Sequence, residues 1–350
     1  MPVRQWLILF TVCFLGLAAC SSPDDTGPLN LPAESIPVEA ASPEMLPVKI
    51  PPSATDNTVG APKVYMTADI SPAGLAALYE ALGRKLTGKV AVKLSTGEPG
   101  NHHFLSPDLI KDLVQTVDGT IVESNTIYGG RRAGTALHKL VAMEHGFTAI
   151  APVDILDEDG SIALPFANGK NLKEDFVGSH FANYDSFLVL SHFKGHIMGG
   201  FGGALKNISI GIASPEGKRW IHSGGKTKTI LLAAEQNIFL ESMAEAAGAV
   251  MNRLGENIVY ISVMNHLSVD CDCIYNPVPP ELDDIGILAS LDPVALDKAC
   301  IDQVYASDTQ RSASLRQRIE SRNGMHTLGH AEALGLGSRQ YELVVIDAGI

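Results

Sequence analysis

Residues 187–207 read FLVLSHFKGHIMGGFGGALKN, an apolar run followed at once by a glycine-rich segment with two histidines and two lysines. The run FLVLS (187–191) is typical of a strand buried on both faces, as in a parallel sheet covered by helices. In such sheets ligands bind beyond the carboxyl ends of the strands, and glycines let the backbone approach them closely. We therefore expect residues 192–207 to line a binding cleft.

Five further apolar runs are typical of buried strands, and helical patterns separate most of them. The runs are KVAVKL (89–94), GTIVES (119–124), IVYISVM (258–264), DIGILAS (284–290) and YELVVID (341–347). Helices are predicted over 71–86, 106–117, 135–145 and 231–254, and from Asp292, where Asp-Pro supplies a cap and a first-turn proline. The alternation indicates an α/β fold, with largely parallel sheets covered by helices in two lobes around a cleft.

The first twenty residues have the pattern of a targeting segment. Arg4 precedes a short apolar core that ends in LAAC, which resembles the bacterial lipobox, so Cys20 would carry lipid. An ordinary cleaved signal is the alternative. Because Ser21 rather than an aspartate follows the cysteine, we expect a lipid-anchored protein on the periplasmic face of the outer membrane.

Residues 21–62 are rich in Pro, Ser, Asp and Ala and lack an apolar period, which predicts a disordered tether. The α/β domain is then expected over 63–350. The formal net charge of −13 argues against nucleic acid as a partner. GGFGGALK lacks the Ser or Thr that ends a phosphate-binding loop, which argues against nucleotide hydrolysis. A small-molecule ligand is the expected partner.

Two more polar, glycine-rich segments follow irregular stretches or strand ends. Residues 123–146 carry Arg131, and residues 214–228 carry His222. Three such segments indicate one shared cleft. There Lys206 and Arg131 would orient an anion, and His196 would act as a general acid or base with a pKa near the working pH. The alternative is a set of glycine-rich turns with solvated basic residues.

The predicted cofactor contacts cluster in the same segments. They are Lys194, Gly202, Gly203, Asn207 and His222.

A compact group of possible metal ligands follows the run 258–264. VMNHLSVDCDC (263–273) brings together His266, Cys271 and Cys273, and thiolates with imidazole suit Zn or Fe. We expect these three residues to hold a metal ion. A disulfide between Cys271 and either Cys273 or Cys300 is the alternative, as is packing without chemistry. No C-x₂-C-x₂-C run occurs in the sequence, which argues against a ferredoxin-type iron–sulfur cluster.

Five segments, in order, resemble the family known as domain of unknown function 362. They are KLSTGEPGNHHFLSP, ESNTIYGGRR, SHFKGH with GFGGALKN, DCDC and DIGILASLDPVALDKA, over about 89–305. Many members are described as iron–sulfur centre proteins, and many carry a ferredoxin-like insert that this chain lacks.

A more distant pattern is similar to the nickel-pincer lactate racemases. It comprises His196, Gly202-Gly203, Lys206 and His222. In that family the first histidine is a proton-transfer base, the lysine holds a pyridinium-derived cofactor and the last histidine ligates nickel. The resemblance implies those roles for His196, Lys206 and His222.

The predicted function is that of an exported lipoprotein whose cleft binds a metal ion or metallocofactor. The metal would be Zn, Fe or Ni, and the cleft would support redox or proton-transfer chemistry on a small anionic molecule. A non-catalytic metal- or solute-binding lipoprotein is the alternative, and a disulfide-stabilised structural protein is a third reading.

Overall fold

A computed structural model of the protein describes residues 60–346. The predicted signal peptide, its Cys20 and residues 21–59 of the predicted tether lie outside the described residues. Between residues 60 and 346, no helix has both the length and the apolar character needed to cross a membrane.

The strands of the described region build one large sheet and two small ones. In chain order they are β1 (Lys63–Thr67), β2 (Val90–Lys93), β3 (Gly119–Glu123), β4 (Val153–Ile155), β5 (Ser161–Pro165), β6 (Glu174–Gly178), β7 (Ser186–His192), β8 (Lys194–His196), β9 (Gly200–Gly202), β10 (Ile258–Met264), β11 (Gly286–Ser290) and β12 (Glu342–Val345). The large sheet has the order β12-β1-β11-β10-β7-β2-β3-β4, while β5 pairs with β6 and β8 pairs with β9.

The helices flank this sheet. They are α1 (Pro72–Ala81), α2 (Pro107–Thr116), α3 (Thr135–Glu144), α4 (Ala204–Ile208), α5 (Pro215–His222), α6 (Gln236–Leu254), α7 (Pro293–Ala306), α8 (Ala313–Ser321) and α9 (Met325–Ala333). Four of them, α1, α2, α5 and α7, begin at a proline that follows Ser or Asp. At α7 the Asp292 carboxylate accepts the N–H groups of Val294 and Ala295, so the predicted cap is present.

Both faces of the large sheet are buried, because successive side chains of a strand point to opposite faces. In β7, Phe187 and Val189 belong to the apolar cluster formed with α4, α6 and α7. Leu188 and Leu190 belong to a second cluster, formed with α1, α2 and α3. This two-sided burial explains the nearly continuous apolar composition of the central strands.

The α/β class, with a largely parallel sheet covered by helices, is confirmed, and all six predicted strands are present. One strand differs in direction: β11 runs antiparallel to both neighbours, β1 and β10. Its connection to β10 contains no helix, so the chain does not cross over and return in parallel. β5 and β6 form a small antiparallel sheet beside the large one, and α5 packs on β6, with an apolar cluster around Ile221 and Phe239. Residues 60–346 fall within one compact unit, so the structure does not divide them into the two lobes expected from the sequence.

Candidate functional site

A cavity of about 560 Å³ opens at the carboxyl ends of β2, β3 and β7. The last residues of these strands, Lys93, Glu123 and His192, all line it. The three glycine-rich segments and the DCDC segment each contribute further side chains. Five cations and two carboxylates line the cavity, namely Lys93, Arg132, Lys194, Lys206, Lys218, Glu123 and Asp272. The wall is therefore positively charged in a protein whose formal net charge is −13.

A buried ion pair forms part of the cavity wall. Lys93 Nζ lies 3.0 Å from Glu123 Oε2, and both side chains are almost wholly buried. Arg132 adds contacts of 3.6 Å to Glu123 Oε1 and 3.4 Å to Glu98 Oε1. Burial alone would raise the pKa of Glu123, but Lys93 and Arg132 outweigh it and lower that pKa to about 2. Glu123 is therefore ionised and holds two cations in place.

Asp272 is the second carboxylate of the wall and lies between the two cysteines in sequence. It forms an ion pair with Lys194, and its Oδ2 lies 3.2 Å from His192 Nδ1. Burial would raise its pKa, but Lys194 and His192 hold that pKa well below the ordinary value. Lys194, predicted to contact a cofactor, thus lines the cavity with its charge already paired.

Lys206 and Lys218 carry charge that no carboxylate of the described residues neutralises within ion-pair distance. Lys218 Nζ donates to Ser124 Oγ at 2.9 Å, whereas Lys206 makes no such hydrogen bond within residues 60–346. Burial is the main cause that lowers the pKa of each to about 8, and the nearby Lys93 contributes to the lowering for Lys206. Lys206 is thus an ammonium group free to bind an anion.

His196, Cys271 and Cys273 place one possible ligand atom each within 4.8 Å of one another, on the cavity wall. Cys271 and Cys273 form a disulfide with Cα atoms 5.2 Å apart. The structure therefore shows the disulfide that the sequence offered as the alternative to metal ligation. Cys300 is buried and free, away from this pair in the α7 core. As ligands, the two sulfurs would be in the reduced state.

Of the three imidazoles that line the cavity, those of His196 and His222 are neutral and differ in tautomer. His196 Nδ1 accepts the Gly199 N–H at 2.8 Å, which leaves the ring proton on Nε2. His222 Nδ1 donates to the Lys218 carbonyl oxygen at 2.6 Å, which leaves a lone pair on Nε2. Burial lowers the pKa of His222, and it lowers that of His196 well below its usual value. The expected pKa near the working pH is therefore wrong for His196.

Three residues predicted for the cleft have structural contacts that the sequence did not indicate. Asn207 Nδ2 donates to the carbonyl oxygens of Lys93 and Leu190, and so ties β2 to β7. A Cβ atom at Gly203 would lie 2.2 Å from Asp297 Oδ1. Glycine is therefore required at this position by the buried Asp297 carboxyl group, whether or not a ligand is bound. Gly202 lines the cavity, and a Cβ atom there would lie 3.5 Å from Lys206 Cδ.

Arg131 and His266 are not among the residues that line the cavity. Arg131 is half-buried and forms a bidentate ion pair with Glu144, at 2.6 and 2.7 Å. Consecutive side chains of the turn Arg131–Ala133 diverge, so Arg132 points inward instead. His266 is exposed beside His103, and the histidine that lies next to Cys271 and Cys273 is His196. The predicted inward roles of Arg131 and His266 are therefore wrong in position.

Glu123 and Lys218 are wall residues that the sequence patterns did not single out, whereas Arg132 and Asp272 lie in segments predicted to line the cleft. A usable signal existed for Glu123, because Lys93 in KVAVKL and Glu123 in GTIVES are opposite charges within runs predicted to be buried, and a buried charge requires a partner. Lys218 had no comparable signal, since its helix turns it inward only once α5 has packed on β6.

The fold and cavity define an α/β protein with a cationic ligand site and a histidine–cysteine group. The family described as domain of unknown function DUF362 matches residues 90–302, more than half of the chain, and the chain belongs to that family. The resemblance inferred from the sequence is thereby confirmed.

Two solved structures are similar at low identity. A Thermotoga maritima protein is 14% identical with a TM-score of 0.40, and covers 67% of this chain and 58% of its own. The lactate racemase apoprotein from Thermoanaerobacterium thermosaccharolyticum is 14% identical with a TM-score of 0.41, and covers 73% of this chain and 59% of its own. The chain thus spans less than two thirds of either. No curated protein matches it.

Proposed function

We propose that the cavity binds a metal ion beside a small organic anion and that the protein catalyses proton transfer on that anion. The observation that carries this proposal is the convergence of His196, Cys271 and Cys273 on a wall that also holds the unpaired Lys206. Lys206 would bind the anionic group, and the His222 Nε2 lone pair would accept a proton.

Two thiolates and one imidazole are a donor set suited to Zn, Fe or Ni. Reduction of the Cys271–Cys273 disulfide by a dithiol supplies two electrons and two protons and yields two thiols. These lose their protons on binding, and three protein ligands leave a position open to the cavity. When bound, the metal would act as a Lewis acid that stabilises negative charge on the ligand.

His196 has to change its hydrogen bonding to bind a metal through Nε2. The ring proton moves to Nδ1, and the Gly199 N–H loses its acceptor. That loss costs about 1–3 kcal/mol, against about 10–16 kcal/mol for binding of structural zinc by small domains. Metal binding therefore outweighs it. The proposal assigns His196 to the metal and proton acceptance to His222, where the sequence pattern placed the acid or base at His196.

Elemental analysis of protein purified with a dithiol reductant and without added metal tests the metal site. We expect one metal ion per chain in the wild type and none in the Cys271→Ser/Cys273→Ser variant. Cys300→Ser is the matched control, since it removes a thiol outside the cavity and should keep the metal. A wild type without metal, or a double variant with undiminished metal, would overturn the proposal.

Deuterium incorporation separates catalysis from binding alone. Metal-loaded protein in D₂O with a panel of small carboxylic acids should exchange a carbon-bound proton of one acid, observed by NMR. His222→Ala should abolish this exchange but retain metal. Ligand-induced thermal shifts without exchange in the wild type would favour the non-catalytic binding protein instead.

We also propose that the protein is a lipoprotein of the cell envelope, on the strength of residues 1–20 and the LAAC sequence. In an oxidising compartment the Cys271–Cys273 pair stays disulfide-bonded until a dithiol reduces it, so metal binding there would depend on the redox state of this pair. Expression with labelled palmitate should label the wild type but not Cys20→Ser. Equal labelling of both would refute the anchor.

A further inference from the structure

We propose that the ligand of the cavity is an organic anion with a sizeable apolar body, whose anionic group contacts the buried cations while its body packs on an apolar rim. This proposal rests on the anion site of the proposed function and names its ligand class.

The rim consists of apolar side chains that line the cavity and also reach solvent. Ile197 is 49% exposed and Leu231 is 57% exposed. Met198 and Ile210 line the same cavity and are half-buried. Exposed apolar side chains gathered around one opening are typical of a ligand site, because a bound apolar group would remove them from water.

The cations lie deeper than this rim. Lys93, Arg132 and Lys194 are each at most 5% exposed, but their charges are already paired with Glu123, Glu98 or Asp272. Lys218 is 5% exposed and Lys206 is half-buried; both line the cavity, and neither has a carboxylate within ion-pair distance among residues 60–346. Their depth places positive charge at the inner end and apolar surface at the outer end. A ligand that satisfies both ends has one anionic terminus and an apolar remainder.

The size of the cavity favours the same class. About 560 Å³ is within the range of sites that enclose ligands of drug-like size. A three-carbon acid bound at Lys206 would leave most of this volume to water. A larger amphipathic anion fills the volume and covers the rim.

The test uses two probes with the same apolar body. They are 8-anilinonaphthalene-1-sulfonate, which is anionic, and N-phenyl-1-naphthylamine, which is neutral; both fluoresce in apolar surroundings. The protein is titrated in its disulfide form without metal. We expect the sulfonate to bind one per chain and more tightly than the amine, and inorganic sulfate to displace it only at far higher concentration.

Substitutions at the two ends should act differently. Lys206→Gln should weaken the sulfonate about tenfold, as loss of one charge-assisted hydrogen bond implies, and leave the amine unchanged. Leu231→Ser should weaken both probes. Lys111→Gln and Leu137→Ser, exposed residues outside the cavity lining, are the matched controls and should change neither.

Equal affinity for the two probes, or no effect of Leu231→Ser, would overturn the inference. Sulfate that competes as strongly as the naphthalene sulfonate would do the same, because the apolar body would then add nothing. The Cys271→Ser/Cys273→Ser variant separates this test from that of the metal site. This variant should no longer bind metal but should bind the sulfonate probe as the wild type does. The metal-site proposal and the ligand-class proposal can therefore fail independently.

Discussion

Asp297 Oδ1 lies 2.6 Å from the backbone nitrogen of Ala204, and Oδ2 lies 3.0 Å from that of Leu205. Asp297 is wholly buried in α7, and Ala204 begins α4, the short helix that carries Lys206. A carboxyl group that is distant in sequence therefore fixes the start of α4, and with it the position of Lys206 in the cavity.

Removal of this carboxyl group should loosen α4. Asp297→Ala leaves two buried N–H groups without acceptors, so we expect a loss of about 2–4 kcal/mol in the free energy of unfolding. Asp297→Asn retains one acceptor and should lose less. Urea denaturation measures both. An alanine variant as stable as the wild type would show that this carboxyl group does not anchor α4.

The adjacent glycines Gly202 and Gly203 provide a matched pair. A Cβ atom at Gly203 would lie 2.2 Å from Asp297 Oδ1, whereas at Gly202 its nearest neighbour is Lys206 Cδ at 3.5 Å, an ordinary contact. We expect Gly203→Ala to lower the thermal unfolding temperature by several degrees, since overpacking costs about 1–3 kcal/mol. Gly202→Ala should leave it nearly unchanged. Equal unfolding temperatures for the two variants would contradict this reading of Gly203.

The buried pair of Lys93 and Glu123 should respond asymmetrically to substitution. Glu123→Ala leaves the Lys93 ammonium without its partner, which costs about 3–5 kcal/mol at such sites. The double variant Lys93→Met/Glu123→Leu removes both charges, and Arg132 keeps its contact with Glu98. We expect the double variant to be more stable than the single one in chemical denaturation. The reverse order would mean that Glu123 is not the main partner of Lys93.

Asp175 should make stability depend on pH. Its side chain is wholly buried, neither carboxylate oxygen has a hydrogen-bond partner within residues 60–346, and burial raises its pKa to about 7. The unfolded value is about 3.9. Between about pH 4 and 7 the folded protein keeps a proton that the unfolded chain releases, so the free energy of unfolding falls as pH rises.

Asp175→Asn removes this titration. The pKa of Asp297 is also about 7 and persists in the variant, so the slope should shrink by about 1.4 kcal/mol per pH unit rather than vanish. Urea titrations from pH 4.5 to 7 measure the slope. Identical slopes in variant and wild type would show that Asp175 is ionised throughout this range.

Local pattern was enough to find the strands and the side of the sheet where ligands bind. FLVLS and IVYISVM are apolar on both faces, and β7 and β10 are buried on both faces. The basic residues that follow β7 lie at its carboxyl end, as parallel sheets require. The direction of β11 depends on a helix-free connection, which the composition of DIGILAS does not encode.

The sequence pattern could not predict which side chains of a turn point into the cavity. Arg131 and Arg132 are identical in chemistry and adjacent in sequence, yet one pairs with Glu144 in solvent and the other contacts Glu123 in the wall. His266 is closer in sequence to the cysteines than His196 is. The Gly195 N–H of β8 donates to the Ser268 carbonyl oxygen at 2.9 Å, and His196, the next residue, lies beside Cys271 and Cys273.

Metal titration of one preparation in two redox states tests the central claim most directly. After anaerobic reduction, the wild type should bind one equivalent of Zn²⁺ in calorimetry, while the disulfide form of the same sample should bind none at this site. The reduced Cys300→Ser variant should match the reduced wild type. Equal Zn²⁺ binding before and after reduction, or none in either state, would contradict a site built from His196, Cys271 and Cys273.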